Sequence, residues 1–135
     1  MDAEKLFDGF DPARLEHEVQ QRWGDSDAYR EAARRTKRYT KRDWVRIQAE
    51  GRDILDKLAE KMRQGLTAVH DDVGELAEQH GLHIDRWFYP CSGAMHEGLA
   101  EMYLADEPFA SKINEHAEGL TTFLVDAIRA NAGRA

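Results

Sequence analysis

The 135-residue sequence predicts a single all-α domain, and three observations carry that prediction. Apolar residues recur at intervals of three and four along most of the chain, which is the spacing of one helix face. No segment alternates apolar and polar residues as a half-buried strand does. The prolines, Pro12, Pro90 and Pro108, fall where a helix starts or breaks.

Asp11-Pro12 opens the first predicted helix, with Asp11 as cap and Phe10 and Leu15 placed to clasp its first turn. Leu15, Val19 and Trp23 form its stripe and Gly24 its stop. A short second helix follows Asp25-Ser26 and carries Ala28, Tyr29, Ala32 and Ala33. Thr40 caps the third, with Asp43 at the reciprocal capping position. Its Trp44, Ile47, Gly51, Ile54, Leu55, Leu58 and Met62 share an arc of roughly 100°, and Gln64-Gly65 ends it. Leu66 to His70 reads as a loop. Asp71 or Asp72 opens a fourth helix that continues past Gly81 to about Trp87, because Ile84, Trp87 and Phe88 keep the helical spacing. Tyr89-Pro90-Cys91 is the break. Ser92 caps a fifth helix with Met95, Leu99, Met102 and Tyr103 on one stripe. Asp106 and Pro108 restart the chain into a short helix holding Phe109 and Ile113, and a last helix follows Gly119. Seven helical segments result.

Nineteen basic against 26 acidic residues leave a net charge of −7, which argues against nucleic-acid binding by the domain, since phosphate contacts need a basic footprint. One cysteine excludes an internal disulfide and a Cys-rich zinc site and fits a reducing cytoplasm. No apolar run approaches the roughly 20 residues that cross a bilayer. The expected setting is cytoplasmic, with no membrane partner.

The basic run Arg34–Arg42 complements the C-terminal end of the second helix and reads as solvated surface. His80 and His83, with Asp85 and His96 nearby in sequence, form at best a two-point chelate lacking a third ligand. No metal or cofactor is expected, and the imidazoles read as hydrogen bonders at a pocket edge. There is no nucleophile elbow and no glycine-rich phosphate loop, so enzymatic chemistry is not expected. The richest stretch is Trp87-Phe88-Tyr89-Pro90-Cys91-Ser92-Gly93-Ala94-Met95-His96. Its aromatic and thioether side chains suit an apolar ligand, although each also suits a core. Cys91, just before the fifth helix, is a thiolate candidate if exposed and an inert apolar residue if buried.

Across almost its whole length the sequence resembles the TipAS-type antibiotic-recognition domain, the effector-binding part of thiopeptide-responsive MerR-family regulators and of stand-alone drug-binding relatives. The resemblance rests on Phe10-Asp11-Pro12, Glu18-Val19 with Arg22-Trp23-Gly24, Asp27-Ala28-Tyr29-Arg30, Tyr39-Thr40-Lys41 and Asp43-Trp44. It continues through Tyr89 and Cys91, Met95-His96, Leu99, Glu101-Met102-Tyr103, Asp106-Glu107 and Phe109, to Gly119-Leu120, Asp126-Ala127-Ile128 and Ala130-Asn131. The family implies a globin-like helical arrangement with a cleft for large apolar antibiotics. On this reading the first three helices, roughly residues 11–64, form a lid over a core of helices from 71 to 131. Tyr29, Trp44, His80, Ile84, Trp87, Tyr89, Cys91, Met95 and His96 are the expected ligand contacts, meeting the guest in an apolar hollow.

Two departures from the family matter. Relatives that trap thiopeptides covalently use a cysteine two residues after the Met-His pair, where this sequence has Gly98. Reversible binding is therefore expected. The family's regulators also carry a winged helix-turn-helix and a coiled coil before this domain, whereas Met1 here lies a few residues before Phe10. The chain is expected to be a monomer, acting in drug sequestration or as the sensor of a regulator. A helical module that receives a partner peptide or helix is the alternative.

Overall fold

The computed structural model describes residues 27–133, so the predicted helix from Asp11 lies outside the described residues. Among the described residues there are six helices and no strand: α1 Asp27–Thr36, α2 Lys41–Arg63, α3 Asp71–Trp87, α4 Gly93–Ala105, α5 Glu107–Asn114 and α6 Leu120–Ala132. The expected all-α class holds.

Local chemistry sets most boundaries. Thr40 accepts the Asp43 N–H at 3.2 Å and Asp43 accepts the Thr40 N–H at 2.9 Å, closing the predicted reciprocal cap of α2. Ser92 accepts from the Met95 N–H, capping α4 as predicted, and Asp106 accepts from the Phe109 N–H, capping α5 where the chain was expected to restart. The cap of α3 is His70, whose Nδ1 accepts the Asp72 N–H at 3.1 Å. Asp71 and Asp72 fall inside the first turn, where their charge suits the positive end of the helix dipole. Gly119 precedes α6 at φ 82, a left-handed conformation that costs glycine nothing. Because glycine has no side chain to cap with, Asn114 of α5 accepts the Thr121 N–H at 2.9 Å instead.

Helix α6 is the central element, packing against α2, α3, α4 and α5. Leu120, Leu124, Val125, Ala127 and Ile128 are buried along it, joined by Leu58 and Ala59 of α2, Val73 and Ala77 of α3, and Leu99, Ala100 and Met102 of α4. Burying a side chain the size of leucine contributes about 1.5–3 kcal/mol. Helix α1 sits outside this core, its main contact being α3.

Candidate functional site

The richest stretch of the sequence forms the α3–α4 junction, where α3 ends at Trp87 and α4 begins after the Ser92 cap. Its rings mostly meet one another. Tyr39 stands edge-on to Trp44 and to Trp87, with centroids 5.6 and 5.5 Å away, and Trp44 lies 6.2 Å from Phe88. The Tyr39 hydroxyl donates to the Trp87 carbonyl. The Trp87 indole N–H donates to Glu50 at 2.8 Å, and the guanidinium groups of Arg46 and Arg86 lie 5.6 and 5.0 Å from its ring. Such cation–π contacts contribute about 0.5–1 kcal/mol each at exposed sites. Partial burial pushes the Glu50 carboxyl up, but hydrogen bonds from Trp87 and Arg46, with His83 and Arg86 close by, hold it below the usual range.

A second group joins α3 to α4. His80 Nδ1 and His96 Nε2 share a hydrogen bond at 2.8 Å, and the rings stack with centroids 5.1 Å apart. Tyr103 meets His80 edge-on at 6.0 Å. Gly81 eases the fit: a Cβ there would lie 3.0 Å from the His96 ring, so close that the imidazole would have to give by a few tenths of an ångström. Burial lowers both imidazoles, His80 well below its ordinary value and His96 to about 4, so the pair is neutral at physiological pH. His83 instead bonds the Ile47 carbonyl of α2 at 3.0 Å. Among the described residues no three His, Cys, Asp or Glu gather as a metal would require.

A cleft of about 520 Å³ opens beside the junction. One wall is the charged face of α1, with Asp27, Arg30, Glu31 and Arg34, and the other is Pro90 and Met95. The charges on α1 pair with each other: Arg30 reaches Asp27 at 2.6 Å and Arg34 reaches Glu31 at 2.7 Å.

The nine expected contact residues are thus divided among several places. Trp44 and Trp87 belong to the ring cluster, where Tyr39 meets both edge-on and Arg46 and Arg86 lie over Trp87. Ile84, Tyr89 and His96 are buried, Tyr89 so fully that burial, with Tyr103 and Cys91 nearby, raises its phenol. Cys91 is half-buried, and burial with Asp85 and Glu78 nearby pushes its thiol up to about 11. The helix N-terminus beside it does not yield a thiolate. Met95 lines the cleft. Tyr29 lies in α1, its side chain outside the described ones. Among the described residues the rings around Trp44 and Trp87 meet one another at contact distance, and one cleft lies between α1 and Met95.

Arg30, Glu31 and Arg34 are not among the expected contacts, yet they line the cleft, and the basic run is more than solvated surface. The i,i+3 pairing of Glu31 with Arg34 was a legible signal. Arg35 of that run reaches out of its own helix, donating to the Asp85 carbonyl of α3 at 2.7 Å.

Comparison with known proteins bears on this arrangement. The family model of the TipAS antibiotic-recognition domain matches residues 15–131. The chain is 41% identical over 130 residues to the HTH-type transcriptional activator TipA of Streptomyces coelicolor, an alignment covering 96% of this chain and 51% of that protein. It is 33% identical over 138 residues to the HTH-type transcriptional activator mta of Bacillus subtilis, covering 95% of this chain and 51% of that protein. The chain thus spans about half the length of the curated relatives it matches. A solved structure of TipAS from Streptomyces lividans in complex with nosiheptide, part of a thiopeptide antibiotic multidrug resistance system, superposes with a TM-score of 0.88. That match has 40% identity and covers 98% of this chain and 92% of the other.

Proposed function

This chain belongs to the TipAS antibiotic-recognition family, and we propose that it binds large, largely apolar antibiotics of the thiopeptide kind, reversibly, between α1 and the α3–α4 junction. The observation that carries this reading is the likeness, over nearly the whole chain, to a TipAS structure holding nosiheptide. The cleft supports it: about 520 Å³ is within the usual range of small-molecule sites, and its two walls suit a guest with both apolar and polar parts. Pro90 and Met95 offer the apolar contact, and the paired guanidinium planes of Arg30 and Arg34 offer flat surfaces for heteroaromatic rings.

A thiopeptide larger than this cleft enters only if a wall moves. Helix α1 suits that role, since none of its described side chains is fully buried, whereas α2 sends Leu58 and Ala59 into the core. The lid therefore swings chiefly at α1, over a floor made by α3 and α4. Reversibility follows from the thiol chemistry. Cys91 stays protonated at neutral pH, and a thiol is a poor nucleophile compared with its thiolate. The domain acts by binding, without turnover, either sequestering the drug or serving as the sensor of a regulator, as its HTH-type relatives suggest.

Titration with nosiheptide, followed by tryptophan emission, tests the reading. A saturable change, reversed on dialysis, with an unmodified protein mass and the drug recovered intact, is the expected result. A mass increase equal to the drug would replace reversible binding by capture, and no saturable change would end the antibiotic reading.

A further inference from the structure

We propose that Arg35 and Tyr39 are positioning residues that set the width of the cleft by clamping α1 to the C-terminal end of α3, without lining the cleft themselves. The last carbonyls of a helix have no partner within it and must find one elsewhere. In α3 the Ile84 carbonyl accepts the Phe88 and Tyr89 N–H groups at 2.8 and 3.3 Å. The next three carbonyls are taken from the α1 side. Arg35 Nη1 donates to Asp85 at 2.7 Å and, more weakly, to Arg86 at 3.5 Å, and the Tyr39 hydroxyl donates to Trp87.

This clamp connects one cleft wall to the other. Glu31, on the α1 wall, holds the Arg35 Nε at 2.6 Å. Arg35 holds the Asp85 carbonyl, and the Asp85 carboxylate accepts the Cys91 N–H at 2.8 Å, between Pro90 and Met95 of the other wall. Glu31, Arg35, Asp85 and Cys91 therefore form a polar path from one cleft wall to the backbone beside the other. Tyr39 braces it through the Trp87 carbonyl and an edge-on contact with the indole. Losing either donor frees a helix-end carbonyl to seek water and lets the walls change separation.

The consequence for affinity rests on the antibiotic-binding reading, whereas the clamp itself can be read without any ligand. Arg35→Gln, Tyr39→Phe and the conservative Arg35→Lys are compared by amide hydrogen exchange and nosiheptide titration. Thr121→Val, at the distant α5–α6 contact, serves as a destabilising control. The expected result is about a five- to tenfold faster exchange at Phe88, Tyr89 and Cys91 in Arg35→Gln and Tyr39→Phe, with Leu124 and Val125 unchanged. The nosiheptide Kd rises by a similar factor, Arg35→Lys recovers part of the loss, and Thr121→Val leaves the Kd within about twofold. Unchanged exchange at residues 88–91 in both variants, or a rise spread equally through α6, would overturn the clamp. Faster local exchange in a protein whose wild type does not bind nosiheptide upholds the clamp and ends the antibiotic reading.

Discussion

Helix α6 lays Leu120, Leu124, Val125, Ala127 and Ile128 against four other helices, whereas α1 meets the body chiefly at α3 and through directional polar contacts. The two attachments differ in kind. Apolar burial is additive, non-directional and lost only when the core opens. A few hydrogen bonds to helix-end carbonyls contribute about 0.5–1.5 kcal/mol each, because water competes for both partners. Stability thus resides around α6, and the element bordering the cleft is the one that can move at small cost. The proposed entry of a bulky guest needs that separation.

The largest expected effect breaks the α6 side. Leu124 has no exposed surface, so Leu124→Ala leaves a cavity and should lose about 2–5 kcal/mol, read as a lower denaturant midpoint at unchanged slope. A loss below about 1 kcal/mol would mean that α6 is not where stability is concentrated. Arg35→Gln, by contrast, should cost no more than about 1.5 kcal/mol while moving the junction.

Acid probes the His80–His96 pair that joins α3 to α4. His80 and His96 have folded values below their unfolded ones, so the unfolded chain takes up protons first as pH falls. The contribution of His96 is fully present above about pH 6.5 and is lost progressively down to about 4, where the folded imidazole protonates too. The full effect for His96 is of order 3 kcal/mol. His96→Gln should therefore differ most from wild type at neutral pH, with the gap narrowing by pH 4. A gap that stays constant over that range would show that the imidazole's protonation does not matter to the fold.

Much of this was written in the sequence, and what was not has a common cause. The Thr40 and Ser92 caps were legible because each acts within three residues of itself. The continuation of α3 through Gly81 was legible from Ile84 and Trp87, yet the reason for the glycine, a ring from α4 lying on it, was not. The partners that the junction's rings find were hidden for the same reason. Aromatic residues at a junction announce that something flat will meet them, but not whether it is a drug or Tyr39 and Arg86. Arg35 looked like surface because its partners are carbonyls 50 and 51 residues away, and carbonyls leave no trace in a sequence.

Gly81→Ala sharpens the comparison at intermediate cost. The new methyl would stand 3.0 Å from His96 Nδ1 and 3.1 Å from its Cε1, so the ring must shift and the bond to His80 stretch. About 1–3 kcal/mol should be lost. Pairing it with His96→Ala, which removes the obstructing ring, should give a combined cost well below the sum of the two. Simple additivity would mean that the glycine serves something other than the imidazole.

The smallest effect is expected at Cys91, and it decides between reversible binding and capture. The residue is half-buried beside α4, and its thiol is held protonated by burial and by the nearby carboxylates of Asp85 and Glu78. Alkylation by iodoacetamide needs the thiolate, so its rate at neutral pH should fall well below that of a free cysteine and climb only as pH nears the thiol's value of about 11. Cys91→Ser, which keeps the backbone N–H that bonds Asp85, should change stability by less than about 1 kcal/mol and leave nosiheptide affinity unchanged. Rapid alkylation at neutral pH would mean that the α1 side opens often enough to hydrate the thiol. Capture of a dehydroalanine-bearing guest through Cys91 would then be chemically available, and reversible binding would give way to it.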